Sequence, residues 1–121
     1  IALLDLGPDC SEALMGQISD FMLTLREVDL IITHSYRDGG VKFTVRSSRK
    51  ELDASEIVRA ALITIGDGGG HATMAAGFVP NIPSNSAALT IAGIAEERTI
   101  SYVCNIMGWP NTKRKKFKKI T

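Results

Sequence analysis

The stretch "VDLIITHSYRDGGVKFTVRSS", residues 28–48, holds two strand patterns joined by a turn. Its first half, 28–37, is rich in β-branched residues and has the length of a strand. Asp38-Gly39-Gly40 supplies a hairpin turn, because glycine tolerates the positive φ that such turns need. The second half, 41–47, alternates cleanly. Val41, Phe43 and Val45 should face the core, and Lys42, Thr44 and Arg46 the other way. The two strands should pair antiparallel.

Working outward, "IALLDLG" (1–7) reads as a strand ended by Gly7-Pro8. Asp9 and Glu12 form a D-x-x-E start signal, with Asp9 as cap. Leu14, Met15, Ile18, Phe21, Met22 and Leu25 then recur at helical spacing, which predicts a helix over 10–26. Asp53 and Glu56 repeat the signal. Ile57, Val58, Ala61, Leu62 and Ile65 predict a second helix over 54–65, with Gly66 as its C-terminal glycine. A short strand is expected at 77–80 and a long helix over 86–107, with Gly93 as its weak point and Glu96, Glu97 and Arg98 on its solvated face. This order predicts one α/β domain, a mixed β-sheet flanked by helices. Its expected bounds are 1–110, followed by a basic tail, 111–121, read as disordered or frayed.

Composition agrees with a single core: 121 residues, 45% hydrophobic and 22% charged. No apolar run reaches the length of a membrane span, and no secretory signal pattern is present, so no membrane partner is expected. Cys10 and Cys104 match no metal or redox spacing and read as buried thiols of a reducing compartment, the cytoplasm. The chain opens at Ile1 directly into a strand pattern, which suggests a piece of a longer protein. Lys113, Arg114, Lys115, Lys116, Lys118 and Lys119 all lie in the last nine positions. They leave 8 basic against 13 acidic residues in the body, so any basic binding surface there must be local.

The second informative stretch is "GDGGGHATMAAGF" (66–78). One reading is a slack turn after a helix. It is not a P-loop, since no Gly-Lys-Ser/Thr follows, and no dinucleotide fingerprint, since no strand precedes it. His71 has no partner at metal-ligand spacing. The other reading is an anion cradle. Gly68, Gly69 and Gly70 would open the backbone N–H groups to a phosphate. Ala72–Ala76 would start a helix whose N-terminus adds positive charge, and His71 would donate. Arg46, on the polar strand face, would supply a guanidinium fork. Arg49 and Lys50, beside Glu51, read as solvated. Ser47 and Ser48 either donate to phosphate or end the strand.

"FTVRSS" (43–48), "DASEIVRAA" (53–61) and "GGGHATMAAGF" (68–78) together resemble the C-terminal DHH-associated domain of DHH phosphoesterases, the family of RecJ-type exonucleases and oligoribonucleases. Order and spacing agree across residues 30–80. Two departures are visible. Thr44 stands where the strand motif usually has Ser, and three residues rather than two separate His71 from Ala75-Ala76-Gly77. The resemblance implies a substrate-binding set of Arg46, Ser47, Gly68, Gly69, Gly70 and His71. It places Ala75, Ala76 and Gly77 as small residues that let the next element pack. It also implies that the metals, Mn2+ or Mg2+, and the Asp-His-His residues belong to an N-terminal DHH catalytic domain of the same polypeptide. No Asp-His-His occurs here. The expectation is therefore a domain that binds a short oligonucleotide or nucleotide but does not cut it. Two alternatives stand beside it: an RNA-binding C-terminal domain of the alanyl-tRNA synthetase type, and a structural module that forms a homodimer through the apolar 86–107 helix.

Overall fold

A computed structural model describes residues 1–25, 28–110 and 117–120, residue 120 by its backbone alone. The hairpin forms as its sequence requires. β2 (Leu30–Arg37) and β3 (Gly40–Ser47) pair antiparallel in unbroken register from Leu30–Ser47 to Arg37–Gly40. Asp38 and Gly39, at φ 55° and 72°, make the two-residue turn. β1 (Ala2–Pro8) lies parallel to β2, and α1 (Glu12–Leu23) is the crossover between them. After β3 come α2 (Ala54–Leu62), β4 (Asp67–Gly70), β5 (Met74–Val79), α3 (Asn85–Met107) and β6 (Lys118–Ile120). The sheet order is β4-β5-β3-β2-β1-β6, parallel at β1 and antiparallel elsewhere. The protein is a single α/β domain with a mixed sheet flanked by helices.

The alternation of β3 sets the layers. Val41, Phe43 and Val45 are buried with Ile57, Val58, Leu62, Ala95, Val103 and Cys104, so α2 and α3 cover that face. The opposite face is shared. Over β1 and β2, Ala2, Leu4 and Ile31 pack against Ile18, Met22 and Leu23 of α1. In its middle, the hydroxyls of Thr33 and Thr44 are hydrogen-bonded to each other beneath the helix. Both cysteines are free and buried.

Several boundaries differ from expectation for local reasons. The cap of α1 is Ser11, whose Oγ accepts from Leu14 N at 3.1 Å. Asp9 instead takes a left-handed φ of 59°, with its N–H donating to Tyr36 O. Asp53 does cap α2, accepting from Ser55 N and Glu56 N. α2 ends three residues early, and Thr64, not Gly66, takes the positive φ beyond it. Arg98 of α3 donates to the Ala61 and Ile63 carbonyls, giving orphan acceptors at that end a partner. Gly66 is needed for space, since a Cβ there would collide with the Phe78 carbonyl. The glycines 68–70 are strand and not loop. The helical start expected over 72–76 is a turn followed by β5, because residues 74–79 pair with β3. α3 passes through Gly93 unbroken and ends at Gly108, φ 69°. Glu96, expected in solvent, is 8% exposed.

Of the tail, Lys118–Ile120 forms a strand parallel to β1, and Phe117 joins the core. One apolar side chain and the free edge of β1 are enough to seat this short segment. Lys113, Arg114, Lys115, Lys116 and Thr121 lie outside the described residues.

Two glycines should respond oppositely to alanine. Gly66→Ala, blocked by backbone, should cost about 1–3 kcal/mol in chemical denaturation. Gly93→Ala, with nothing within 4 Å of the new Cβ, should gain roughly 0.5–1 kcal/mol.

Candidate functional site

On the face that carries α1, the helix packs on β2 and β3. A cleft of about 310 Å³ opens between it and the β4–β5 hairpin. Its floor is Thr44, Arg46, Ala75 and Ala76, and its walls are Glu12 and Gly16 on one side and Gly69, Gly70, His71 and Met74 on the other. Lys42 stands at the end nearest Glu12. The positions follow from register. On the polar face of β3, Lys42 lies opposite Phe78, Thr44 opposite Ala76 and Arg46 opposite Met74, so a small β5 side chain stands only at Thr44, between the two cations. Gly16 leaves room above Arg46, since a Cβ there would come within 3.1 Å of its guanidinium.

The cations are anchored and paired. Arg46 Nε donates to Asp20 Oδ1 at 3.2 Å, and Lys42 Nζ lies 2.8 Å from Glu12 Oε1. The Lys42 contact holds the Glu12 carboxyl below its ordinary pKa.

His71 sits on a tight turn. Its N–H donates to Met74 O at 2.7 Å, and Met74 N returns the bond to His71 O. Ala54 N binds Ala72 O and Ser47 N binds Thr73 O, which ties the turn to the start of α2 and the end of β3. Among the described residues β4 is the outermost strand, so one row of its backbone groups has no strand neighbour among them. Gly70 requires glycine: its φ is 150°, and a Cβ there would lie 2.6 Å from the Met74 carbonyl oxygen.

The expected set is thus brought together in part. Arg46, Gly69, Gly70 and His71 line one cleft. Gly68 faces the other way, against Val58 of α2, and Gly77 packs there too. Their bareness seats the hairpin on the helix. Ser47 is buried, with its hydroxyl bonded to the backbone of Arg49, and it does not line the cleft. Arg49 is paired with Asp29 and Glu51. Lys42 was legible as a member of the polar strand face, whereas Glu12 and Gly16 carried no signal that they would close over it.

The other histidine lies on the opposite face. His34 is buried, with Nε2 3.5 Å from Asp5 Oδ1 and Nδ1 3.8 Å from Glu96 Oε1, and Lys119 pairs with Glu96. A pocket of about 250 Å³ adjoins it, lined also by Tyr36, Asn85 and Leu89. Among the described residues no group of three His, Cys, Asp or Glu side chains could hold a metal ion. Among the described residues, no helix is long and apolar enough to cross a membrane.

A family model described as the DHHA1 domain matches residues 1–95, and the chain belongs to this family. In fold it is similar to the C-Ala domain of Aquifex aeolicus alanyl-tRNA synthetase, with 19% identity and a TM-score of 0.56 over 77% of this chain and 89% of that one. It is also similar to RecJ of Thermus thermophilus. The Mg2+ complex gives 23% identity and a TM-score of 0.55 over 99% of this chain, and the Mn2+ complex 21% and 0.54 over 98%. This chain spans only 16% and 15% of those two RecJ chains. No curated protein matches it.

Burial lowers the His34 pKa, and Asp5 and Glu96 reverse this only in part, while Lys119 adds to it. The folded state therefore binds fewer protons than the unfolded chain, whose histidine titrates near 6.5. The stability His34 contributes should be present above that pH and lost as pH falls below it. Urea titrations at about pH 7.5 and about pH 5.5 should show a smaller loss in His34→Gln than in the parent.

Proposed function

We propose that this domain holds the phosphate of a nucleotide or short oligonucleotide for a metal-dependent phosphodiesterase whose catalytic centre lies in an N-terminal DHH domain of the same polypeptide. The observation that carries this reading is the convergence of Arg46, Gly69, Gly70 and His71 on one cleft. Arg46 presents a guanidinium that can fork a phosphate, held on a rigid strand beneath a glycine that leaves it room. His71 adds a ring N–H on a turn tied to β3 and α2, and the free edge of β4 adds backbone donors. Exposed Met74 offers a polarizable surface beside them, suited to the face of a base. Water activation is the work of the metals, Mn2+ or Mg2+, in the catalytic domain. The likeness to RecJ, of which this chain spans a small part, supports such a division of labour. On this reading the protein works in the cytoplasm.

A second reading has its own support, since the likeness to C-Ala covers most of that domain. Under it the chain is an RNA-binding appendage without a phosphoesterase parent.

A charge-assisted hydrogen bond contributes about 1.5–3 kcal/mol. Arg46→Ala should therefore weaken the binding of AMP or a short oligonucleotide by about tenfold or more in a chemical-shift titration. Thermal unfolding of the variant separates the lost phosphate contact from the packing lost with the largely buried Arg46 stem. Unchanged affinity would remove Arg46 from the site. Tight binding of tRNA with none of AMP would favour the second reading.

A further inference from the structure

The two cations of the cleft are not placed like the two anions that pair with them. Lys42 and Arg46 are 18% and 14% exposed, their stems packed on the sheet, whereas Glu12 and Asp20 are 66% and 68% exposed. An exposed ion pair contributes little, and the solvated partner is the one that leaves easily. The spacings also match. Glu12, Gly16 and Asp20 lie four residues apart along α1, which puts the backbone positions of Glu12 and Asp20 about 12 Å apart along the helix axis. Lys42 and Arg46 lie four residues apart along β3, about 13 Å. Helix and strand run in the same direction here, since Glu12 meets Lys42 while Gly16 and Asp20 meet Arg46.

We infer that the cleft is a two-phosphate site in which Glu12 and Asp20 occupy the positions of the ligand's phosphates until the ligand displaces them. This rests on the phosphate-binding role proposed above and extends it to the length of the ligand. A gap of about 13 Å exceeds the separation of neighbouring phosphates on one strand. The ligand that engages both cations is therefore a single-stranded oligonucleotide of three nucleotides or more, with an unengaged phosphate between those two. A mononucleotide reaches only the Arg46 end, where His71 and the β4 edge add donors. Lys42 is then the residue that favours an oligonucleotide over a mononucleotide. The carboxylates act against weak or singly charged anions, because any ligand must outcompete an internal partner at each end.

The test uses the whole chain with two probes, AMP and a 5′-phosphorylated adenosine trinucleotide, whose affinities are read by chemical-shift titration. Lys42→Ala should weaken the trinucleotide by roughly tenfold, the loss of one charged contact, and leave AMP unchanged. Asp20→Asn should tighten both probes by about two- to fivefold, the equivalent of an exposed ion pair. Glu12→Gln should tighten the trinucleotide alone by a similar factor. Thermal unfolding of each variant separates lost binding from lost structure. If Glu12→Gln proves unstable, Asp20→Asn still tests the displacement. Equal weakening of both probes by Lys42→Ala, or no gain from either carboxylate variant, overturns the two-phosphate site while Arg46-dependent binding stands. Failure of the parent chain to bind either probe overturns the phosphate-binding role itself.

Discussion

The pairing of β3 with a neighbour on each side is the constraint on which the rest of the molecule depends. Six residues, Val41–Arg46, are held between β2 and β5 and must send alternate side chains to opposite faces. Val41, Phe43 and Val45 thereby become the floor of the core that α2 and α3 close. Lys42, Thr44 and Arg46 are delivered together to the other face by the same geometry. A one-residue slip in register would bury two cations and expose the core. Fold and site are consequences of one strand read from its two sides.

Small residues decide how close the other elements come. Gly68 and Gly77 let α2 approach the hairpin, and Gly16 lets α1 pass over the Arg46 guanidinium. Ala76, opposite Thr44, keeps the cleft floor low, while Ala75 turns into the core. The glycine-rich segment is therefore no slack turn. It is an edge strand whose residues divide between packing and access, and the turn after it is tied to two other elements. This rigidity suits recognition, since a site held by packed backbone loses little entropy on binding.

Polar groups inside the domain follow a different logic on each face. Under α1 the charged groups pair at the rim and stay within reach of water. On the other face Asp5, Glu96 and Lys119 join the buried His34 in a chain of contacts that links β1, β2, α3 and β6. Glu96 lies in a run of charges, Glu96-Glu97-Arg98, that helical spacing alone assigns to solvent. It is buried because β6 supplies Lys119 on one side of it and β2 supplies His34 on the other.

The sequence by itself determined the hairpin, the faces of β3, the existence of three helices and the α/β class. These depend on local periodicity, turn chemistry and caps, which act over a few residues. It also singled out Arg46 and His71, because their types and neighbours form a compact pattern. Tertiary structure alone decided that Gly68–Gly70 would be a strand. An isolated glycine run has no strand preference, and only pairing with β5 supplies one. It likewise withdrew Ser47 from the cleft by giving its hydroxyl a backbone partner. It set Glu12, Gly16 and Asp20 over the cations of β3, a meeting of segments some thirty residues apart. Which anion faces which cation depends on how a helix crosses a sheet, and no local pattern encodes that crossing.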